Sequence, residues 1–328
     1  MKRNLHTRIT ALLLGIALLA ALCLTGCGGD DAAEGGASAQ YAVILKTLSN
    51  DFWATMKTGI EAEAEKQGVT VDIFAATSEE DTEGQLRIFE NCIAKGYKAI
   101  GVAPLSPTNL LSAVAQANDK GIYVMNIDEK MDMETLKNAG GSVIAFATTD
   151  NVAVGEKAAR YILDRLTSGG KVAIIEGKAG NASGEARKKG ATEAFRSATG
   201  VELVASQPAD WDRQKALDTA AGILQQHPDL SAFYCCNDTM ALGALQAVKN
   251  AGKLGEVLVV GTDGAAEAVE SVRAGELTAT VAQDSAEIGA ASLRKMVEAV
   301  QNGVKIDPEA EPETIPVDSY IVSQEDNG

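Results

Sequence analysis

Short apolar runs rich in β-branched residues alternate along the chain with longer segments whose apolar residues recur at helical spacing. The longer segments, such as DFWATMKTGIEAEAEKQ, are followed by a glycine just past their end, as helices often are. Because a parallel strand connection needs a crossover helix, this repetition predicts mostly parallel sheets covered by helices. The strand candidates are YAVILK (41–46), VTVDIFA (69–75), KAIGVA (98–103), IYVMNI (122–127), VIAFAT (143–148), KVAIIE (171–176), VELVAS (201–206), LSAFYC (230–235), VLVVGT (257–262) and LTATVAQ (277–283).

The number of strand candidates and the length of the chain predict two lobes. The chain has 328 residues, whereas a single hydrophobic core stops growing at about 250 to 300 residues. We therefore expect an α/β protein of two similar lobes, each a mostly parallel sheet flanked by helices. His227-Pro228 and the acidic segment PEAEPETIP (308–316) are expected to be connections, not elements.

The first 26 residues are expected to be a lipoprotein signal peptide. A basic start, MKRNLHTR, precedes the apolar run ITALLLGIALLAALCL, which is shorter than the roughly 20 residues of a stable membrane span. The following LTGC (24–27) resembles a bacterial lipobox, in which Cys27 is lipidated; an ordinary cleavage site with an incidental cysteine is the alternative. Residues 27–40 have the composition of a flexible tether. We therefore expect an extracytoplasmic protein whose only membrane anchor is the lipid. It would be attached to the bacterial cell membrane, or lie in the periplasm of a cell with two membranes.

The net charge and the cysteine content limit which ligands and partners the protein can bind. The formal net charge of −16 argues against nucleic acid, because phosphate binding needs a basic face. Beyond the tether the chain holds Cys92, Cys235, Cys236 and a single histidine, without a CxxC pair. We therefore expect no metal and no cofactor, and we expect the three cysteines to be buried apolar side chains.

Polar and aromatic side chains follow the predicted strands. Ligands of open α/β sheets bind at the carboxyl ends of strands, so the residues just beyond each strand are the candidate contacts. Carboxylates accept hydrogen bonds from hydroxyls, Arg and Lys donate to them, amides do both, and flat rings cover the C–H faces of a pyranose. This inventory favours a polyhydroxylated ligand. The candidate ligand-binding residues are Lys46, Asn50, Phe52, Trp53, Asp128, Glu129, Arg187, Trp211, Asn237, Asp263 and Gln283.

Single members of this set also have simpler interpretations. Asp263 and Asn237 could cap the helices that follow them. Phe52 and Trp53 could be core residues of a first helical turn, and Arg187 could be a solvated helix residue. The functional interpretation therefore rests on the occurrence of such residues at successive strand ends, and not on any one of them.

The chain resembles the ribose-type, or type I, periplasmic sugar-binding proteins through TLSNDFW, ASQPADWDR, NDTMALGAL, VVGTDG and ATVAQ. The resemblance implies a monosaccharide held in a cleft between two lobes, with the eleven candidate positions lining the site. It also implies a monomer that serves an ABC permease and ATPase, and a chain that crosses a hinge near Thr149, Asp284 and Val317. The implied lobes are 41–149 with 284–317, and 150–283 with 318–328.

The expected sugar is D-allose. YAVILKTLSNDFW, NIDEK and IIEGKAGNASGEAR are most similar to the allose-binding members of this family. Ribose-binding members usually have a small residue at position 46 and Arg at position 129, whereas this chain has Lys46 and Glu129. Such a pair could satisfy one further hydroxyl or hydroxymethyl of a hexose, which favours D-allose over D-ribose, with D-psicose as the nearest competitor. The alternative is that the two residues only pair with each other at the rim of the cleft.

Other function classes fit the sequence less well. A glycosidase could use Asp128 and Glu129 as paired carboxylates, but adjacent residues on an extended loop point apart, so we expect no enzyme activity and no catalytic residues. A sugar-responsive transcription regulator would open with a helix-turn-helix instead of a signal peptide. A binding protein that presents ribose, psicose or another monosaccharide to a receptor instead of an importer stays compatible with the sequence.

Overall fold

A computed structural model of the protein describes residues 39–327. It contains two six-stranded sheets within that range. The strands of the first sheet are β1 (Tyr41–Leu45), β2 (Val71–Ala75), β3 (Ala99–Val102), β4 (Tyr123–Ile127), β5 (Ala145–Thr148) and β11 (Glu313–Pro316). The strands of the second sheet are β6 (Gly170–Glu176), β7 (Val201–Pro208), β8 (Leu230–Cys235), β9 (Leu258–Asp263), β10 (Ala279–Gln283) and β12 (Ser319–Ser323).

Both sheets have the same strand order. The first runs β2-β1-β3-β4-β5-β11 and the second β7-β6-β8-β9-β10-β12. Every pairing is parallel except that of β10 with β12. In each sheet the direction in which successive strands are added reverses next to the first strand, between β1 and β3 and between β6 and β8. Open α/β sheets bind ligands in the crevice at such a point. The predicted fold class is confirmed, and each sheet with its helices is called a lobe below.

Helices connect the strands and begin and end where the local sequence favours it. Asn50 caps the first helix by accepting a hydrogen bond from the Phe52 N–H, and Gly68, with φ 65°, ends it. None of the helices within residues 39–327 is long and apolar enough to cross a membrane. The helices are α1 (Asp51–Gln67), α2 (Thr82–Lys95), α3 (Leu111–Asp119), α4 (Met133–Asn138), α5 (Asn151–Leu163), α6 (Ala182–Ser197), α7 (Arg213–Gln226), α8 (Asp238–Asn250), α9 (Ala266–Arg273) and α10 (Ser285–Asn302), followed by the 3-10 turn Gln324–Asn327.

The first sheet is buried on both faces. Alternate residues of β1 point to opposite sides, so Val43 packs in one apolar cluster with Met296 of α10, while Ile44 packs in another with Phe89 of α2. Cys92, Cys235 and Cys236 are buried free thiols, as predicted. Such two-sided burial leaves the strand ends as the places where polar side chains can gather.

The prediction that 308–316 is only a connection is wrong for its last four residues. Glu313–Pro316 form β11, which pairs in parallel with Ala145–Thr148 of β5. β11 is an edge strand, and an edge strand tolerates a proline because its outer side needs no N–H donor. β12 was also absent from the predicted strands, although it pairs antiparallel to β10 along its whole length.

The chain passes between the lobes three times. It leaves the first sheet after β5, returns after β10 so that α10 packs against β3, β4 and β5, and crosses again between β11 and β12. The exact lobe boundaries and hinge positions stay a prediction. The predicted signal peptide, Cys27 and the tether as far as residue 38 lie outside the described residues.

Candidate functional site

A pocket lies between the carboxyl ends of the two sheets. Nine of the eleven predicted binding residues line it, and the other two, Glu129 and Gln283, each contact a lining residue. The lining residues are Lys46, Asn50, Phe52, Trp53, Glu79, Asp128, Ser183, Arg187, Trp211, Asn237 and Asp263.

Aromatic rings enter the pocket from both lobes. Phe52 and Trp53 come from the first turn of α1 and meet edge to face, with centroids 4.9 Å apart and an interplanar angle of 87°. The indole N–H of Trp53 donates to Glu79 Oε1 at 3.1 Å, and Lys46 Nζ lies 5.6 Å from the centre of the same ring. Trp211, just beyond β7, supplies the ring of the second lobe. Two opposed apolar surfaces of this kind suit the C–H faces of a flat ring-shaped ligand.

A buried arginine organises the polar side of the second lobe. Arg187 donates to Asn151 Oδ1 at 2.8 Å, to the Cys236 carbonyl at 2.7 Å and to Asp263 Oδ1 at 3.4 Å. Gln283 Nε2 donates to the same Asp263 oxygen at 2.8 Å. Asp263 therefore does not cap α9; its carboxylate is held by two donors in a fixed position next to the pocket.

Asn237 and Asn50 are helix caps that also line the pocket. Asn237 Oδ1 accepts a hydrogen bond from the Met240 N–H at 2.8 Å, and Asn50 Oδ1 accepts one from the Phe52 N–H at 2.9 Å. The capping interpretation and the binding interpretation are thus compatible for these two residues, because a carboxamide has a donor end left over when its oxygen caps a helix.

Two buried oxygens of the candidate set have no hydrogen-bond partner among residues 39–327, namely Asp128 Oδ1 and Gln283 Oε1. Burial raises the pKa of Asp128 to about 6 and outweighs the opposing attraction of Lys46 and Arg187. Burial likewise raises the pKa of Asp263, against the lowering effect of Arg187. A bound molecule with hydroxyl donors would satisfy such acceptors.

Lys46 and Glu129 form an ion pair of 3.2 Å, with exposed side-chain fractions of 2% and 0%. Glu129 also accepts hydrogen bonds from the Ala182 N–H and from Ser183 Oγ, at the start of α6 in the other lobe. Burial lowers the pKa of Lys46, but the charges of Glu129, Glu79 and Asp128 together with the hydrogen bond to Glu129 outweigh it, so the pKa is raised. The pair is buried, not at the rim, and both oxygens of Glu129 are engaged by protein donors.

The backbone of the site is held in sparsely populated conformations. Among the described residues, the non-glycine positions with positive φ are Asp128 (57°), Asp210 (52°), Trp211 (65°) and Asp263 (123°). Each such position costs about 1 to 3 kcal/mol and persists only where its surroundings enforce it. Three of the four are predicted binding residues, and the fourth is the neighbour of Trp211. The backbone at these positions is therefore held in place by the surrounding structure.

The sequence survey missed three residues at the site. Glu79 follows β2, a strand end that was not among the candidates, and Ser183 lies in the first turn of α6, the helix that carries Arg187. Asn151 orients Arg187 from the start of α5 without lining the pocket. Glu79 and Asn151 lie four and three residues beyond the ends of β2 and β5, so looking just beyond each strand would have found both.

Residues 41–304 match the family model described as a periplasmic binding protein domain. The chain belongs to the periplasmic binding protein family. Two curated members of that family show how similar its sequences are to this one. The D-allose-binding periplasmic protein of Escherichia coli (strain K12) is 61% identical over 289 residues, which cover 88% of this chain and 93% of that protein. The ribose import binding protein of Bacillus subtilis (strain 168) is 37% identical over 245 residues, covering 75% of this chain and 76% of the relative.

Solved periplasmic binding proteins share the two-sheet fold. A periplasmic solute-binding protein of an ABC transporter from Actinobacillus succinogenes 130z, with bound D-allose, superposes with a TM-score of 0.82 at 32% identity. The superposition covers 88% of this chain and 98% of that one. The predicted resemblance to periplasmic sugar-binding proteins is thereby confirmed.

Proposed function

We propose that this periplasmic binding protein binds D-allose in the pocket between its lobes and presents the sugar to an ABC importer. The observation that carries the proposal is the pocket itself, where buried carboxylates, an arginine, a lysine and amides converge between aromatic rings from both lobes. The 61% identity to a D-allose-binding protein and the D-allose bound in a structural neighbour support the same sugar. No catalytic step is part of this role.

The pocket chemistry assigns a role to each side of the sugar. Trp53 and Trp211 would cover its two faces, one from each lobe. Asp128 and Asp263 would accept hydrogen bonds from ring hydroxyls, and Arg187 would donate to them. The unpartnered Oδ1 of Asp128 supports this assignment, because a buried carboxylate oxygen without a donor is costly until a ligand supplies one.

Lys46 carries the proposed preference for a hexose. Its ammonium has three N–H donors, of which Glu129 uses one at 3.2 Å, and Lys46 itself lines the pocket. The remaining donors are available to the extra hydroxymethyl of an aldohexose in the pyranose form. Glu129 would position Lys46 without contacting the sugar itself, because its two oxygens accept hydrogen bonds from Lys46 and from the start of α6.

The proposal extends to the way the protein works in the cell. Contacts of one sugar with both lobes would stabilise the closed form by its differential affinity, and the closed shape is what a permease would recognise. We propose a monomer, held outside the cytoplasm by lipid on Cys27. The folded lobes would then remain close to the importer at the end of a flexible tether.

Calorimetric titration of the purified protein with D-allose, D-ribose and D-psicose tests the proposal. Arg187→Ala and Asp263→Ala should each weaken D-allose binding at least roughly tenfold, because each change leaves a buried charged partner unpaired. Arg160→Ala is the matched control: Arg160 forms an exposed ion pair with Glu156 on α5 of the same lobe. The proposal fails if none of the sugars binds, and the assigned site fails if both variants bind D-allose as the parent does.

A further inference from the structure

The loop after β6 together with the first two residues of α6, residues 177–183 and called the β6–α6 loop below, reaches from the second lobe to the first. Lys178 Nζ donates to the Glu79 carbonyl at 2.9 Å and to Glu80 Oε2 at 2.6 Å. At the other end of the loop, Ser183 Oγ donates to Glu129 at 2.9 Å. These contacts join the two lobes without a ligand. They can form only when the lobes are close together.

Asn181, in the middle of this loop, uses both ends of its amide. Its Nδ2 donates to the Leu105 carbonyl of the first lobe at 3.2 Å, and its Oδ1 accepts from the indole N–H of Trp211 at 3.0 Å. The orientation of the amide is fixed by its partners, because a carbonyl can only accept and an indole N–H can only donate. Asn181 is 2% exposed, so neither end has free access to bulk water.

Trp211 depends on its surroundings for its orientation. Trp211 and the preceding Asp210 both have positive φ, at 65° and 52°, a conformation that side-chain-bearing residues adopt only when held there. The ring lies against Gly177 and Gly184, where an added Cβ would come within 2.0 Å and 3.0 Å of it. The two glycines lie side by side, with 3.8 Å between the Gly177 Cα and an added Cβ on Gly184. They therefore form one surface against which the indole packs, and Asn181 accepts a hydrogen bond from the indole N–H.

We propose that Asn181 is a positioning residue that couples closure of the lobes to the orientation of the Trp211 ring. The proposal rests on the sugar site proposed above. With the lobes together, the Leu105 carbonyl fixes the amide plane, which aims Oδ1 at the indole. With the lobes apart, Nδ2 loses that acceptor, the amide can rotate toward water, and the indole is released. A sugar that closes the lobes thereby completes its own stacking surface.

Asn118 offers a matched comparison within one lobe. Its Nδ2 donates to the Ile122 carbonyl at 3.2 Å, and its Oδ1 accepts from the Ser142 N–H at 2.7 Å. The amide thus bridges two groups in the same way as Asn181, but both partners belong to the first lobe. Loss of Asn118 removes the same number of hydrogen bonds without touching Trp211 or the opposite lobe.

The test is a double-mutant cycle on D-allose affinity with Asn181→Ala, Trp211→Phe, the double variant and the control Asn118→Ala. Trp211→Phe keeps an aromatic ring but has no N–H to donate. Asn181→Ala should weaken binding roughly tenfold, as expected for a lost buried hydrogen bond. In the Trp211→Phe background the same change should cost distinctly less, because part of its effect passes through the indole. Asn118→Ala should leave the affinity unchanged.

Two results would overturn the proposal: parental affinity in Asn181→Ala, or losses that simply multiply in the double variant. A sugar-free measurement separates this question from the identity of the ligand. The chain has two tryptophans, so a ¹⁵N-indole spectrum shows two signals, which Trp53→Phe assigns. The contacts that protein groups alone make between the lobes would keep part of the sugar-free population closed. Asn181→Ala should therefore move the Trp211 signal even without sugar, move it further at saturating D-allose, and leave the Trp53 signal in place. If no sugar binds the parent, the proposed function fails, and the sugar-free spectrum alone decides on Asn181: an unmoved Trp211 signal refutes its role.

Discussion

Gly177→Ala should displace the Trp211 ring and weaken sugar binding. A Cβ at position 177 would lie 2.0 Å from Cη2 and 2.2 Å from Cζ2 of the indole, whereas non-bonded carbons approach to about 3.5 Å. The ring must therefore move by about 1.5 Å. It must move away from Gly177 and also from Gly184, because the two glycines are neighbours, with only 3.8 Å between the Gly177 Cα and an added Cβ on Gly184.

A movement of that size has two measurable consequences. It stretches the 3.0 Å hydrogen bond between the indole N–H and Asn181 beyond hydrogen-bond range, and it shifts the ring out of the position from which it would stack on a bound sugar. Overpacking of this kind costs about 1 to 3 kcal/mol of folding free energy. D-allose affinity should fall at least about tenfold, which corresponds to about 1.4 kcal/mol.

Calorimetric titration and thermal unfolding measure the two effects, and Gly222→Ala is the control. Gly222 lies within α7, and an added Cβ there meets nothing within 4 Å. That change should leave affinity intact and stabilise the fold by about 0.5 to 1 kcal/mol, since alanine is the better helix former. Parental affinity with a lowered melting temperature would show that Trp211 does not stack on the sugar, and parental values of both would refute the close contact of the ring with Gly177.

Four further outcomes are expected. Burial holds the pKa of Asp128 at about 6, above its ordinary 3.8, so its charged form costs about 3 kcal/mol of folding free energy at pH 7. That cost should disappear as the pH falls through 6 toward 4, while D-allose affinity, which uses the carboxylate, falls over the same range. Asp128→Asn should reduce the pH dependence of affinity and stability but not abolish it, because burial raises the pKa of Asp263 to about 7; unchanged profiles would contradict the assignment. Lys46→Ala should reduce the preference for D-allose over D-ribose, and a wild type without preference, or a variant that retains it, would refute the role of Lys46. Small-angle scattering should show a smaller radius of gyration with saturating D-allose, in contrast to the identical profiles expected of a rigid cleft. Palmitate labelling should disappear in Cys27→Ala, and a labelled variant would exclude that anchor.

The sequence predicted elements well where local signals and burial agree. The predicted helix over 51–67 has the observed limits because Asn50 and Gly68 supply a cap and a left-handed end at the expected places. β11 escaped prediction because only pairing with β5, more than 160 residues earlier, makes Glu313–Pro316 a strand. Apolar and polar residues alternate only weakly in β11, and the prolines at positions 308, 312 and 316 of the surrounding segment favour a turn. Such a strand is specified by tertiary contact and not by its own pattern.

The rule that ligands bind beyond strand ends found most of the pocket for a topological reason. In a parallel sheet all carboxyl ends lie on one edge, so residues far apart in sequence gather without any knowledge of packing. The rule says nothing about which side chains finally contact each other. Trp211 donates to Asn181, and Arg187 donates to Asn151. Such partnerships depend on how the helices and loops of the second lobe pack against one another.

Asp128 and Glu129 show that not every polar residue just beyond a strand end faces the pocket. The two residues are not on an extended segment, because Asp128 has φ 57°, but only one carboxylate of the pair faces the pocket. Asp128 is the one that lines it, while Glu129 extends to the start of α6 and to Lys46. Loss of Glu129 would leave Lys46 buried without its anion, at a cost of about 3 to 5 kcal/mol. Loss of Lys46 would leave Glu129 with two donors from α6. Lys46→Ala is therefore the variant that probes sugar selection with the smaller disturbance of the fold, and Glu129→Gln is the one that probes contact between the lobes.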